Sequence, residues 1–194
     1  LSNFKIKKQM IKRLIHFSDL HIRLFKDHDQ YRGILESALK EWKSLQPDRI
    51  VFTGDLVHSK NQMTPELVEF VAWILSECAK ITKTIVIIGN HTDVGYKFEE
   101  GFDTNKFKGC DLVLCGDIHK RQVFDIPGDK KAYMIGSTIQ QNFGETVRKH
   151  GYGIYEVEKD EYTFIDLPNP KPFLSFYINS FDCLTEGSEK LVNY

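Results

Sequence analysis

Four short apolar runs each end in serine or glycine followed by a carboxylate, an amide or an imidazole. They are "RLIHFSDLH" from Arg13, "RIVFTGDLVH" from Arg49, "TIVIIGNH" from Thr84 and "DLVLCGDIH" from Asp111. About five residues rich in Ile, Val, Leu and Phe, bounded by glycine and polar groups, predict buried parallel strands. In open α/β sheets, the residues just past the C-terminal strand ends present the ligand-binding side chains. Asp19 and His21, Asp55, Asn90 and His91, and Asp117 and His119 occupy those places. One Asp or His after a strand is ordinarily a cap, but four successive strand ends with oxygen and imidazole donors point to a shared site.

Helical patterns separate the first three runs. In "DQYRGILESALKEWKSLQPD" the apolar residues Ile34, Leu35, Ala38, Leu39, Trp42 and Leu45 recur at helical spacing, and Pro47 marks the stop. In "TPELVEFVAWILSECAK" Thr64 is placed to cap and Pro65 to open the helix. Strand, helix, strand, helix, strand is the βαβ signature of an α/β fold with right-handed crossovers. After His119 the pattern changes to short strands with turns, "RQVFDI", "KAYMIGS", "GYGIYEVE" and "YTFIDL". That antiparallel meander predicts a second sheet or the far half of a mixed one. From "LPNPKPF" the prolines predict a linker leading out of the domain.

Composition removes some classes. No run approaches the roughly 18 apolar residues of a membrane span, and the lysine-rich start lacks a signal-peptide core, so the expected compartment is the cytoplasm. The 194 residues carry a net charge of -1, which gives no global attraction to nucleic acid. DNA binding would rest on local basic patches, with Lys5 to Arg13, Lys120 with Arg121, and Arg148 with Lys149 as the candidates. Cys78, Cys110, Cys115 and Cys183 form no C-x-x-C pair and are expected to be reduced and mostly buried. His16 reads as a core histidine, His58 as one able to approach the site, and His28 and His150 as surface residues.

Carboxylate, amide and imidazole donors without thiolate suit divalent ions such as Mn²⁺, Mg²⁺, Fe²⁺ or Zn²⁺. Two ions about 3.5 to 4 Å apart need an anion between them, and Asp55 is the natural bridge. In their order, "SDLH", "GDLVH", "GNH" and "GDIH" resemble the calcineurin-like metallophosphoesterase superfamily, whose signature is D-x-H, G-D, G-N-H and G-H-x-H. Within it the chain most resembles DNA recombination and repair nucleases of the SbcD type, phage members included. The segments "HFSDLHI", "GDIHKRQ" and "YMIGSTIQQNFGE" followed by "HGYGIYEV" carry that likeness, which covers roughly residues 12 to 167.

The resemblance implies a four-layer α/β/β/α sandwich with mixed sheets. Residues 1–167 would form the nuclease domain, and 168–194 a linker and the beginning of a capping domain. It implies Asp19, His21 and His119 as ligands of the first metal, Asp55 as the bridge, and Asn90 as a ligand of the second. Asp117 stands as a further second-metal ligand, and His91 faces the scissile phosphate as the catalytic group. The implied cofactors are two divalent ions, Mn²⁺ first and Mg²⁺ next. The implied activity is two-metal DNA exonuclease and endonuclease chemistry. The implied partners are DNA, a second copy of the chain, and an SMC-like ATPase of the Rad and Sbc chromosome-maintenance kind. The other readings are a phosphomonoesterase or cyclic-nucleotide phosphodiesterase, and a weakened scaffold of the same fold.

The sequence departs from the family pattern in two ways. Asp117 replaces the first histidine of G-H-x-H, which biases the site toward Mn²⁺ or Mg²⁺. Residues 92–118 contain no histidine, and only 27 positions separate Asn90 from Asp117, which is short for a sheet of this class. The expectation is that a segment between about His91 and Phe102 is missing from the chain. A continuous chain there implies a crippled second metal site.

Overall fold

In the computed structural model, residues 10–59, 63–89 and 104–175 are described. The first three runs form β1 (Arg13–Ser18), β2 (Arg49–Gly54) and β3 (Thr84–Ile88). β1 pairs in parallel with β2, and β2 with β3. Helices α1 (His28–Leu45) and α2 (Pro65–Ile81) make the crossovers. The Thr64 hydroxyl accepts the Leu67 N–H at 3.3 Å, and Pro65 opens α2 where its missing N–H costs nothing. α1 ends on Gln46 in the left-handed conformation.

The later strands divide between two sheets. The fourth run forms β4 (Val113–Cys115), followed by β5 (Gln122–Ile126), β6 (Lys130–Met134), β7 (Gly151–Glu156) and β8 (Glu161–Asp166). The larger sheet runs β3-β2-β1-β7-β8, the smaller β4-β6-β5, and both mix parallel and antiparallel pairs. The α/β sandwich with mixed sheets is therefore the observed fold. The 3₁₀ turn Thr104–Phe107 touches β5 of the smaller sheet.

Two expectations about strands change. β4 is parallel as expected but only half-buried, and it pairs with β6 in the second sheet. At three residues it has little ladder of its own, and it approaches β2 without pairing to it. β3 is the edge of its sheet among the described residues, and Ile85, Val86 and Ile87 are 43%, 38% and 55% exposed. Its apolar run therefore does not mark a strand covered on both faces.

The core lies between α1, α2 and the larger sheet. Phe17 packs on Trp42 and on Phe52 with ring centroids 4.9 Å apart in both pairs, and Tyr152 meets Trp42 at 5.4 Å. Cys78 is buried, whereas Cys110 is exposed and Cys115 half-buried, so burial of most cysteines does not hold. His150 is buried, with ring nitrogens at 3.0 Å from the Ser137 hydroxyl and 2.6 Å from the Thr146 carbonyl oxygen, and is not a surface residue. His28 is half-buried against Phe70. Arg121 is no free cation either: it bonds Asp166 and the Ile165 carbonyl and lies over Phe164.

His16 is a core histidine, fully buried, with its nitrogens 2.8 Å from the Tyr162 and Thr53 hydroxyls. Burial lowers its pKa to about 3. It stays neutral in the fold while the unfolded chain takes up a proton below about pH 6.5. Its contribution is therefore complete above that pH and is lost as pH falls from 6.5 toward 3, by about 1.4 kcal/mol per pH unit in the steep part. Urea unfolding at pH 7.5 and pH 5 should show this loss, and His16→Asn should flatten it.

Candidate metal centre

Three of the strand ends meet because their backbones interlock. Leu20 and His21 donate their N–H groups to the Asp55 carbonyl at 2.8 and 3.1 Å, and Ile22 donates to that of Leu56 at 2.9 Å. The segments leaving β1 and β2 thus run side by side, with a parallel bridge between Ile22 and Val57. The Gly89 N–H, at the end of β3, donates to the Gly54 carbonyl at 2.8 Å. From the other sheet, the Asp117 N–H reaches Asp19 Oδ2 at 2.9 Å.

Glycine at two of these ends is a packing requirement. A Cβ on Gly54, whose φ is +91°, would stand 2.1 Å from Asp19 Oδ1 and 2.7 Å from the Ser18 hydroxyl. On Gly116 a Cβ would lie 2.4 Å from that hydroxyl and 2.7 Å from the Thr53 carbonyl oxygen. Asp19, His21 and Asp117 themselves adopt φ of +48°, +44° and +74°. Left-handed backbone at non-glycine residues is uncommon and persists where the surroundings over-determine it, typically at functional sites.

The side chains converge in two groups with one member in common. Asp19, His21 and His119 bring ligand atoms within 4.8 Å of one another, and so do Asp19, Asp55 and Asp117. His21 Nε2 lies 2.9 Å from His119 Nε2 and 3.9 Å from Asp19 Oδ1. Ligands about 2.0 to 2.2 Å from one ion stand at such separations, and hard oxygen with imidazole is a donor set for divalent cations. The residues fit the metals that the sequence implies. Cys115 stands in neither group, and burial pushes its thiol up.

Asp19 is fully buried and is the electrostatic centre. Its carboxylate accepts the N–H groups of Asp55 at 3.0 Å and Asp117 at 2.9 Å, with the Ser18 hydroxyl 2.5 Å from Oδ2. Burial still raises its pKa, against those hydrogen bonds and the attraction of His119. A bound cation would supply the missing compensation. Asp19 stands in both groups, whereas the family pattern gives the bridging place to Asp55. His58 does approach, its ring centroid 6.0 Å from that of His21. Asn90 and His91 lie outside the described residues, as does the stretch from about His91 to Phe102 where a missing segment is expected.

Glu145 is the site residue that strand-end reasoning missed. Its Oε1 accepts from His119 Nδ1 at 2.7 Å, and its Oε2 accepts the Gln141 N–H at 2.9 Å and the Ser137 hydroxyl at 3.2 Å. Burial works against charging His119, but the bond and charge of Glu145, with Asp19 and Asp117, prevail and raise its pKa. Burial likewise opposes ionisation of Glu145, yet His119 and Gln141 hold its pKa below the usual value. A carboxylate on Nδ1 fixes the tautomer that turns Nε2 toward a metal. Glu145→Ala should raise the Mn²⁺ dissociation constant about 10 to 100-fold. In calorimetric titration Glu145→Gln, which keeps an acceptor oxygen, should fall between the two. The signal in the sequence was "NFGE", inside the segment that carries the family likeness.

Carboxylates and imidazoles gathered at the strand ends of an α/β sandwich define a candidate centre for divalent metal. The family described as calcineurin-like phosphoesterase matches residues 12–173, and the chain belongs to it. An uncharacterised protein of Acanthamoeba polyphaga mimivirus, R555, is 25% identical over 236 residues, taking in 76% of this chain and 17% of that protein. The chain thus spans less than a fifth of that relative's length. Since 76% of 194 residues falls well short of 236, stretches of the relative face no residue of this chain.

Proposed function

We propose that the chain is a two-metal phosphodiesterase that cleaves DNA, as exonuclease and endonuclease, and serves as nuclease subunit to an SMC-like ATPase in repair or recombination. The observation that carries the reading is the pair of donor groups meeting on Asp19. Support for DNA comes from the "GSTIQQNFGE" and "HGYGIYEV" segments. The first holds Glu145 against His119, and the second opens with β7 beside β1.

In this reading Asp19, His21 and His119 would hold one Mn²⁺ or Mg²⁺, and Asn90 and Asp117 would help to hold the other. Asp55 has the bridging place of the family pattern, and the geometry adds Asp19 as a second carboxylate within reach of both positions. Two such ions, when bound, would supply Lewis-acid activation of water and charge neutralisation at the phosphate. The protein's own part is orientation: Glu145 holds the His119 ring, and the N–H groups of Asp55 and Asp117 hold Asp19. His91, protonated, assists departure of the leaving oxygen, a contribution of about 10² to 10⁴-fold. A homodimer and a cytoplasmic setting complete the proposal. Among the described residues no helix is long and apolar enough to cross a membrane.

Digestion of plasmid and oligonucleotide with Mn²⁺, set beside an aryl phosphodiester, tests the reading. DNA cleavage that disappears in Asp55→Ala and His91→Ala while the variants stay folded supports it. Absence of nuclease activity with every metal, even with the partner ATPase present, sinks it.

A further inference from the structure

A cavity of about 210 Å³ is lined by Arg23, two residues after His21, and by Gln141, whose N–H bonds Glu145, and it contains none of the metal centre's ligands. Arg23, Lys26 and Lys171 line it, with Gln140, Gln141 and Tyr31 as the main neutral polar residues. Among the described residues none of these three cations forms an ion pair with a carboxylate. Asp27 is the single acidic residue of the lining. Arg23 donates one Nη2 hydrogen to the Gln141 carbonyl at 2.9 Å, while its Nε is buried with no hydrogen-bond partner. Phosphate is the anion whose geometry the planar guanidinium fork matches.

The neutral groups around the cavity already have hydrogen-bond partners, Gln30 with Asn169 and the Lys171 carbonyl among them. Gln140 exchanges hydrogen bonds with both the N–H and the carbonyl of Phe173, at 2.9 and 3.0 Å. Gln141 accepts from the Tyr31 hydroxyl at 3.2 Å and donates to the Leu20 and Ile139 carbonyls at 3.1 and 2.8 Å. What remains to meet a ligand is the charge of Arg23, Lys26 and Lys171 against the single carboxylate of Asp27, a net excess of positive charge. The cavity is also coupled to the metal centre by short links. Arg23 follows His21 by two residues, and Gln141, which receives Arg23 on its carbonyl, donates its N–H to Glu145, the partner of His119.

We propose that this cavity is a subsite for a second, uncleaved phosphate of a nucleic-acid strand whose scissile phosphate lies at the metal centre. The proposal rests on the nuclease reading and sharpens it. A phosphomonoester or a cyclic nucleotide has no second backbone phosphate to place there, so the subsite favours a polynucleotide over either. Arg23 supplies the directional donor, and Lys26 and Lys171 supply charge.

Two measurements test it. Fluorescence anisotropy of a labelled single-stranded oligonucleotide in EDTA reads the cavity without cleavage. The Arg23→Ala, Lys171→Ala double variant should bind about tenfold more weakly, with a salt dependence shallower by about one to two contacts. With Mn²⁺, turnover of the oligonucleotide should fall far more than turnover of bis(p-nitrophenyl) phosphate, which carries one phosphate only. Equal oligonucleotide affinity in the wild type and the double variant overturns the proposal. An equal fall on both substrates, with Lys171→Ala alone leaving oligonucleotide affinity unchanged, overturns it too, because Arg23 is then a structural residue. An oligonucleotide held through the cavity but never cleaved with any divalent metal leaves the subsite standing and removes the nuclease reading.

Discussion

Asp19→Ala should reduce metal-dependent phosphodiester hydrolysis by about 10³-fold or more, the largest effect expected of any single substitution in the described residues. The reason is position as well as charge. Asp19 belongs to both donor groups, and its two oxygens receive the main-chain N–H groups of Asp55 and Asp117. Removing it takes a ligand from each group and frees the backbone that aims the other two carboxylates. Asp117→Ala, which affects one group at an exposed residue, should cost only about 10 to 100-fold. Steady-state rates with an aryl phosphodiester, together with urea midpoints of the metal-free proteins, separate lost chemistry from lost fold. Retention of more than a tenth of wild-type turnover by Asp19→Ala would show that the shared carboxylate is not central.

Gly54→Ala should destabilise the protein by about 2 to 4 kcal/mol and abolish tight Mn²⁺ binding with it. The added methyl meets Asp19 Oδ1 and the Ser18 hydroxyl, in a backbone conformation that L residues rarely adopt. Neither obstacle is the far end of a flexible chain. Asp19 is pinned by its acceptor bonds, and the Ser18 hydroxyl lies between Asp19 and the Thr53 carbonyl. The strand end must therefore move away from the site or Asp19 must turn out of it. Alanine at Gly33, in α1, has nothing within 4 Å to meet and serves as the control, expected to gain about 0.4 to 1 kcal/mol. Urea unfolding and calorimetric Mn²⁺ titration of the three proteins decide.

These two predictions depend on features that differ in how far the sequence reveals them. The donors at the strand ends were legible because each follows an apolar run and a glycine within a few residues, a local pattern. Helix α1 was legible for the same reason, its buried Ile34, Leu35, Ala38, Leu39 and Trp42 repeating at helical spacing. Assigning β4 to a sheet was not possible locally, because its partner β6 lies about 20 residues later and three residues carry little preference between sheets. His150 and Arg121 looked like surface residues because their partners come from other strands and loops: Ser137 for the first, Ile165 and Asp166 for the second. Glu145 escaped as a positioning residue because it is 26 residues from His119 and reaches it only after the chain has built β5 and β6. Exposure of Ile85, Val86 and Ile87 on β3 shows the converse case, where an apolar run marks a strand without saying what covers it.

Electron paramagnetic resonance of the Mn²⁺-loaded protein tests the central claim most directly. Two ions held about 3.5 to 4 Å apart around shared carboxylates must be exchange-coupled, so a spin-coupled dinuclear spectrum is predicted, disappearing in Asp19→Ala. A spectrum of isolated, uncoupled Mn²⁺ at every loading, or no bound ion at all, would contradict it.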